Sequence, residues 1–251
     1  MGESTEHPQM VSETQQRSVA DDGTAGWRWA SLAVVPAGFA LLVVTHGVRA
    51  ELVGLGAGFL VLAWAGPRAR RFSYLALPFV IGGLIYNYFG LLAPLRGAIH
   101  VEDLWRAETA LFGAGGAPLS AYFAVHHHAV FDLFAGLAYI LYIVEMFAFA
   151  FYFYFRDTPR MSRIAWGFMA LNVVGITIWT LWPAAQPWYV EVHGFGPARL
   201  DVVASAAGAA RFDTLIGYGL FEGFYRRSTN VFGAMPSLHV AYPVLSVCAA
   251  W

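Results

Sequence analysis

Residues 230–240, Asn230-Val231-Phe232-Gly233-Ala234-Met235-Pro236-Ser237-Leu238-His239-Val240, connect a polar loop to the last apolar segment of the chain. Pro236 suits the first turn of a helix, because proline has no N–H to leave unpaired and its φ already matches helical geometry. The pattern therefore predicts a helix that begins at Pro236, with Ser237 and His239 in its opening turn. Unpaired backbone N–H groups and the positive end of the helix dipole favour an anion such as phosphate at that position.

A second proline-rich stretch lies upstream of the first. Residues 183–191 read PAAQPWYVE and follow directly on another apolar segment, and residues 226–239 read RRSTNVFGAMPSLH. Together these stretches resemble two motifs of the type 2 phosphatidic acid phosphatase superfamily of lipid phosphatases and phosphotransferases. They are most similar to one branch, the inositol phosphorylceramide synthases and their prokaryotic relatives. The resemblance is strong over residues 182–243 and looser over residues 77–113.

The resemblance implies an integral membrane lipid phosphotransferase. Such an enzyme moves a phospho-headgroup, here phosphoinositol-like, from a phospholipid to a lipid alcohol through a phosphohistidine intermediate. The matching histidine, His239, would act on the leaving and attacking oxygens, and the matching serine, Ser237, would bind phosphate. No metal and no cofactor is predicted. A lipid phosphate phosphatase with water as acceptor stays open as an alternative, and so does a non-catalytic membrane protein.

The chemistry of His239 also follows from the residue type. An imidazole that titrates near neutrality can give a proton to a leaving alkoxide or take one from an attacking hydroxyl. The competing interpretation is a histidine at a helix start that bonds a backbone carbonyl, and the surrounding motif favours the catalytic one.

Two departures from the family pattern bear on activity. The third motif of the superfamily, a histidine followed four residues later by aspartate, supplies the nucleophile and is expected one membrane pass after His239. The sequence reaches Trp251 inside that pass, so a fragment of a longer enzyme or a catalytically incomplete membrane protein is predicted. All 15 basic residues are arginine, so the lysine of the phosphatases' first motif is missing, in agreement with the synthase branch.

The composition is that of a membrane protein. Of the 251 residues 58% are hydrophobic and only 12% charged, which predicts an all-α, polytopic transmembrane bundle. About six segments approach the roughly 20 apolar residues of a membrane pass; they cover residues 29–48, 52–65, 74–95, 131–155 and 164–182 and a truncated pass from residue 236. Residues 1–26 are predicted to form a disordered polar tail before a membrane domain of residues 27–251. The net charge of −1 gives no reason to expect a nucleic-acid partner, and the partners that the resemblance implies are lipid substrates.

Arginines in the short loops predict the orientation in the membrane. They lie at positions 68, 70 and 71 between passes two and three, and at 156, 160 and 163 between passes four and five. Both loops should be cytoplasmic, as should the N-terminus. Residues 96–128, with an amphipathic surface helix over residues 101–112, and the loop of roughly 50 residues before Pro236 should then lie outside. The bacterial inner or plasma membrane is the expected location.

Cationic side chains for the phosphate are predicted close to the motif. Arg226 and Arg227 stand ten and nine residues before Pro236, near enough to fold back over the helix start. A guanidinium fork matches two phosphate oxygens, although an arginine pair near a membrane can equally bind lipid headgroups. Arg227 is favoured, and Arg211 is a weaker candidate.

Residues 183–191 form a candidate substrate channel. The two prolines make a stiff exit from the fifth pass, and Trp188, Tyr189 and Glu191 are the candidate channel residues. An aromatic anchor at the membrane interface explains the same composition.

Other polar residues in apolar surroundings carry weaker predictions. His128 and Asp132 have the spacing of the third motif. They precede the motif at Ser237 and His239, which the third motif should follow, so a locally bonded helix start is preferred. The run from His126 to His128 cannot converge on one metal, because adjacent helical positions diverge by about 100°. Glu145 is expected to be a neutral acid hydrogen-bonded to Asn172 or a tyrosine, and otherwise marks a functional site. The lone Cys248 is expected to be a buried, inert thiol.

Overall fold

The computed structural model describes residues 7–46, 50–113, 116–226, 228 and 230–251, and only the backbone of residues 7–23, 45–46 and 50–52. All regular elements within these ranges are helices, and the only ladder-type pairings there are isolated bridges. The chain divides into two compact units, Met1–Val80 and Ile81–Trp251. The predicted all-α fold is confirmed.

The described part of the first unit contains three complete helices, α1 (His7–His46), α2 (Ala50–Trp64) and α3 (Pro67–Leu75). The Trp27 indole Nε1–H donates to the Ser73 hydroxyl at 2.8 Å in the interior of this unit and so fixes α1 against α3. The predicted boundary at residue 26 does not coincide with a helix end, because α1 runs through it. The division into a polar tail and a membrane domain, and the disorder of that tail, stay predictions.

The helices that follow lead to the site. They are α4 (Leu77–Asn87), a 3-10 helix (Tyr88–Leu95), α5 (Asp103–Phe112), α6 (Leu119–Val125), α7 (Ala129–Arg156) and α8 (Thr158–Leu181). The remaining elements are α9 (Pro187–His193), a short 3-10 turn (Ala207–Ala209), α10 (Ala210–Ile216), α11 (Leu220–Tyr225) and α12 (Leu238–Ala250). The helix predicted over residues 101–112 is present as α5, and its location at the membrane surface stays a prediction. The loop of about 50 residues is not irregular, since α9, α10 and α11 lie within it.

Helices α7, α8 and α12 pack together as the core bundle of the second unit. Small residues on α8 admit leucines of α12: Gly175 lies against Leu238, and Gly167 lies against Leu245. The indole Nε1–H of Trp179, near the end of α8, donates to the carbonyl of Pro236 at 3.2 Å. At the other end Arg160 donates to the carbonyl of Ala250 at 3.1 Å, so α12 runs antiparallel to α8.

Among the residues that the structure describes, four helical segments are long and apolar enough to cross a membrane: Thr24–Val44, Leu77–Leu95, Ala129–Arg156 and Thr158–Leu181. Two shorter apolar helices, Val53–Trp64 and Leu238–Ala250, correspond to the other predicted passes. Large apolar side chains are exposed along these helices, among them Phe131, Phe134 and Leu181. In water such a surface would be unfavourable, whereas in lipid it is the normal exterior. The chain is therefore a multi-pass membrane protein, and the count of six passes stays a prediction.

The start of α12 differs from the prediction. The helix begins at Leu238, and Ser237, with φ −80° and ψ 112°, is the extended residue before it. Pro236 therefore precedes the helix and does not form its first turn. Because the helix begins two residues later than predicted, Ser237 occupies the capping position and not the first turn, whereas His239 lies in the first turn as predicted.

Candidate active site

The two sequence motifs lie side by side because one extended segment pairs with both of its neighbours. The Ala184 N–H donates to the Phe232 carbonyl at 2.8 Å, and the Ala185 N–H donates to the His100 carbonyl at 2.9 Å. Ala184 forms parallel bridges with His100 on one side and Gly233 on the other. A side chain at position 233 would collide with that of Asn230, so glycine is required for the turn that leads into α12. These main-chain bonds form a clamp that fixes the loop of residues 226–239 to the segment that follows α8.

A cavity of about 1140 Å³ opens beside this clamp. The sequence-predicted residues that line it are Ser237, His239, Trp188 and Glu191, together with Arg211. Its apolar part is formed by side chains of α5, α6 and α11, among them Leu104, Leu111, Phe123, Leu220 and Phe224. The cavity is therefore amphipathic, with the motif residues in its wall.

His239 lies between two tyrosines of α7. Its ring stacks on Tyr139 with 4.3 Å between centroids and 23° between planes, and Tyr142 lies at 4.6 Å and 49°. Within the described residues no hydrogen-bond partner of the imidazole is present. The ring is half-buried and lines the cavity, so it is not turned into packed hydrocarbon.

Ser237 occupies the capping position of α12 without capping it. Serine at this position usually accepts a backbone N–H of the first turn through its hydroxyl. Here the side chain makes no such bond, and the Ser237 carbonyl accepts the N–H of Ala241 at 3.1 Å. The hydroxyl and the first N–H groups of α12 are consequently available to a ligand in the cavity.

The predicted arginines are distributed differently from expectation. Arg226 pairs with Glu222 at 2.5 Å and is not among the residues that line this cavity. Arg227 lies outside the described residues, so its predicted role stays a prediction. Arg211 lines the cavity, and its Nε–H donates to the carboxylate of Asp132 at 2.9 Å.

The predicted channel residues also separate into two groups. Trp188 and Glu191 line the cavity, and the Trp188 indole donates to the Gln186 side-chain oxygen at 2.8 Å. Tyr189 is 1% exposed within an apolar cluster and packs against Phe232. Its hydroxyl accepts the N–H of Arg199 at 2.7 Å. Tyr189 thus packs against Phe232 of the clamp and does not line the cavity.

Of the two residues at the start of α7, His128 and Asp132, only His128 forms the predicted local hydrogen bond. His128 accepts the N–H of Val130 through Nδ1 at 3.2 Å, which confirms the predicted local bonding for this residue. Asp132 instead bonds at longer range. One of its oxygens accepts from Arg211, and the other lies 3.1 Å from His127 Nδ1.

The predictions that Asn172 bonds Glu145 and that Cys248 is buried are wrong, whereas the alternative bond from Glu145 to a tyrosine stays a prediction. The Asn172 oxygen accepts the hydroxyl of Tyr242 at 3.1 Å, and its amide donates to the Phe168 carbonyl at 2.9 Å, so Asn172 bonds Tyr242 and not Glu145. The reason is packing, because α12 lies against this face of α8. Cys248 is exposed and not buried.

Comparison with known proteins places this site in a family. The profile of the PAP2 superfamily matches residues 102–251, which include both motifs and the whole α7–α8–α12 bundle. The chain belongs to the PAP2 superfamily. No solved structure matches the chain significantly.

The PAP2 superfamily relatives include a bacterial and several fungal proteins. A protein of Bacteroides thetaiotaomicron named phosphoinositol dihydroceramide synthase is 36% identical over 86% of this chain and 73% of its own length. An inositol phosphorylceramide synthase of Candida albicans is 31% identical over 72% of this chain and 37% of its own. A Saccharomyces cerevisiae inositol phosphorylceramide synthase catalytic subunit is 30% identical over 72% of this chain and 45% of its own. The chain thus spans less than half the length of these two fungal relatives.

Several polar residues of this PAP2 superfamily site are not visible as a pattern in the sequence. Tyrosines from four helices, Tyr86, Tyr139, Tyr142, Tyr225 and Tyr242, line the cavity with His239. Asn230 also lines it, and its side-chain oxygen is buried without a hydrogen-bond partner. Asn230 lies within the motif of residues 226–239, and this position could have indicated a role at the site. The tyrosines are dispersed over the chain, so their sequence positions indicate no common role.

Proposed function

We propose that this protein is a lipid phosphotransferase that moves a phosphoinositol-type headgroup from a phospholipid to the hydroxyl of a ceramide-like lipid. The single observation that carries the proposal is the presence of His239 and Ser237 in the wall of one amphipathic cavity. The names of the bacterial and fungal relatives support the headgroup and the acceptor class.

The shape of the cavity supports a lipid substrate. Side chains of α5, α6 and α11 offer an apolar surface to acyl chains, while Asn230, Gln186 and Ser237 lie in the polar wall. Pockets for amphiphiles combine an apolar lining with a few polar groups that fix the orientation of the ligand. A bound phospholipid would place its phosphate at the start of α12 and its tails along the apolar wall.

His239 supplies the proton transfers in this proposal. In the first step a nucleophile attacks phosphorus, the bond from phosphorus to the glyceride oxygen breaks, and His239 donates a proton to that oxygen. In the second step His239 takes the proton from the acceptor hydroxyl as its oxygen attacks phosphorus and displaces the nucleophile. By family resemblance the nucleophile is a histidine of the third motif, which is not among the described residues.

Ser237 and Arg211 bind the anionic headgroup in this proposal. The Ser237 hydroxyl and the free N–H groups of α12 can donate to phosphate oxygens, which is favourable at a helix N-terminus. Arg211 of α10, which is paired with Asp132 near the start of α7, supplies positive charge to the cavity wall. Arg227 keeps the phosphate-binding role predicted from the motif.

The orientation in the membrane is part of the proposal. Arg156, Arg160 and Arg163 cluster at the junction of α7 and α8, and short-loop arginines favour the cytoplasmic side. Trp179 and Ser237 lie at the opposite end of the bundle, since α12 runs antiparallel to α8. The cavity should therefore open on the extracytoplasmic side of the membrane.

The test is headgroup transfer by the protein expressed from its full reading frame in vesicles. The vesicles contain headgroup-labelled phosphatidylinositol and a ceramide, and the label is expected to appear in a new lipid. His239→Ala should abolish transfer, while His126→Ala, which alters a histidine outside the cavity, should leave it unchanged. Release of label into water without a new lipid would contradict the proposal and favour the phosphatase alternative.

A further inference from the structure

We propose that Tyr139 is a positioning residue for His239, because its ring holds the imidazole and its hydroxyl connects that ring to α11. The inference rests on the proposed function, in which His239 transfers protons. It concerns a residue of α7 that neither motif contains, 100 residues before His239 in the sequence.

The ring of Tyr139 is the main support of the imidazole. The two rings stack at 4.3 Å, and Tyr142 closes a second side at 4.6 Å. A histidine is usually oriented by a hydrogen bond from one of its nitrogens, which fixes the nitrogen that carries the proton. Within the described residues His239 has no such bond, so aromatic contact sets the ring plane. Both ring nitrogens are then left for substrate oxygens.

The hydroxyl of Tyr139 extends this support to the loop before the motif. It forms a hydrogen bond with the hydroxyl of Tyr225, the last residue of α11. Burial raises the pKa of the Tyr225 hydroxyl above its usual value, so this hydroxyl stays neutral at physiological pH. The ring of Tyr139 also lies edge-on to Phe221 at 5.2 Å.

Helix α11 is itself firmly held, which makes it a useful anchor. The buried carboxylate of Asp213 accepts the N–H groups of Phe221 at 3.0 Å and of Glu222 at 2.9 Å. Tyr139 therefore connects His239 to an element fixed by charge-assisted hydrogen bonds. The side chain of Tyr139 thus sets the position of the imidazole relative to Tyr225 at the end of α11.

Substitutions of Tyr139 separate the contribution of the ring from that of the hydroxyl. Tyr139→Leu removes the stacking surface and should lower kcat by about 100-fold with KM within about twofold, because small misplacements of a catalytic group cost rate more than binding. Tyr139→Phe keeps the ring and should restore most of kcat. If the leucine variant does not fold, Tyr139→Met gives the same test with a flexible side chain of similar length.

The hydrogen bond between the hydroxyls of Tyr139 and Tyr225 can be tested separately. Tyr139→Phe and Tyr225→Phe remove the same bond, so each should lower kcat modestly, by about threefold, and the double variant should be no worse than either single one. Additive effects of the two substitutions would overturn the role of the hydroxyl pair.

The chain offers a matched control in a second stacked pair. Tyr122 stacks on His126 at 4.2 Å and 14°, and neither residue lines the cavity. Tyr122→Leu should leave kcat unchanged. A Tyr139→Leu variant that folds and loses no more turnover than Tyr122→Leu would overturn the proposal.

A measurement that does not need turnover distinguishes this inference from the proposed function. Modification of His239 by diethyl pyrocarbonate, followed by mass spectrometry of the peptide, should be several-fold faster in Tyr139→Leu than in the wild type and unchanged in Tyr122→Leu. An unchanged modification rate in Tyr139→Leu would overturn the positioning role. Absence of transfer by the wild type, with faster modification in Tyr139→Leu, would instead contradict the proposed function alone.

Discussion

Asp132 of α7 and Arg211 of α10 form an ion pair, although 79 positions separate them in the sequence. The Asp132 carboxylate accepts the Arg211 Nε–H at 2.9 Å, and its side chain is only 10% exposed. Because the pair uses Nε, the two terminal nitrogens of the guanidinium remain for other partners. They lie over Gly208, where an added Cβ would come within 3.3 Å of one of them.

From the ion pair between Asp132 and Arg211 we predict that Arg211 binds the headgroup of the donor lipid. Tyr139, which stacks on His239, lies seven residues after Asp132 on α7, about 10 Å further along the helix axis. We therefore expect Arg211 to contact the headgroup and not the reacting phosphorus. Arg211→Gln should therefore raise the KM for the donor lipid by roughly tenfold, equivalent to about 1.4 kcal/mol, and change kcat little. Steady-state transfer at varied donor concentration measures this.

Two further variants check the interpretation of Arg211. Asp132→Asn weakens the anchor and should raise KM in the same direction by a smaller factor. Arg199→Gln removes an exposed arginine that is paired with Asp201 outside the cavity, and KM should not change. An effect of Arg199→Gln as large as that of Arg211→Gln would indicate a general effect of surface charge.

The buried hydrogen bond between Tyr242 and Asn172 is predicted to stabilise the bundle. Asn172 is 0% exposed, so Tyr242→Phe leaves its side-chain oxygen without a partner in an apolar surrounding. The expected loss in the free energy of unfolding is about 1–2 kcal/mol. Thermal unfolding in detergent tests this, with Thr177→Val as control because the Thr177 hydroxyl bonds an exposed carbonyl of its own helix. Equal stability of Tyr242→Phe and wild type would contradict the assignment.

Gly97 is predicted to be required for the clamp that joins the two motifs. Its N–H donates to the Thr180 carbonyl at 2.8 Å, and an added Cβ would lie 2.5 Å from the Leu181 carbonyl oxygen. Backbone cannot move aside as a side chain can, so Gly97→Ala should displace the segment that pairs with Ala184 and Ala185. We expect about 2 kcal/mol of destabilisation together with reduced transfer.

The control for Gly97 is another glycine with free space around it. A Cβ at Gly223, in α11, would have no neighbour within 4 Å. Gly223→Ala should be neutral or stabilising by up to about 1 kcal/mol, since alanine favours the helix. If both substitutions destabilised the protein equally, the steric explanation for Gly97 would be wrong.

The fold class and the location of the site could be predicted from the sequence because hydropathy and the motif at Ser237 and His239 are local signals. A membrane pass must satisfy its own backbone, so a long apolar segment has few structural alternatives to a helix. The start of α12 was misplaced because the helix preference of Pro236 was overridden by an extended Ser237. The position of Arg226 was partly readable, since Glu222 precedes it by four residues, the spacing of a helical ion pair.

The supports of the site could not be predicted because they depend on tertiary packing. Tyr139 and Tyr225 are 86 residues apart, and Tyr242 reaches Asn172 only after α12 has packed against α8. Nothing in the local sequence distinguishes Tyr139 from the other aromatic residues of α7. Tyr189 shows the opposite case, because its motif suggested a channel while its packing made it part of a buried cluster.

We propose that Ser237 faces a lipid-borne phosphate from the wall of an extracytoplasmic cavity. Ser237→Cys in a Cys248→Ala background tests this by its reaction with a charged, membrane-impermeant thiol reagent in oriented vesicles. We expect the thiol to react from the extracytoplasmic side and to be protected by phosphatidylinositol but not by the same concentration of a neutral diacylglycerol. Reaction from the cytoplasmic side only, or a rate that phosphatidylinositol leaves unchanged, would contradict it.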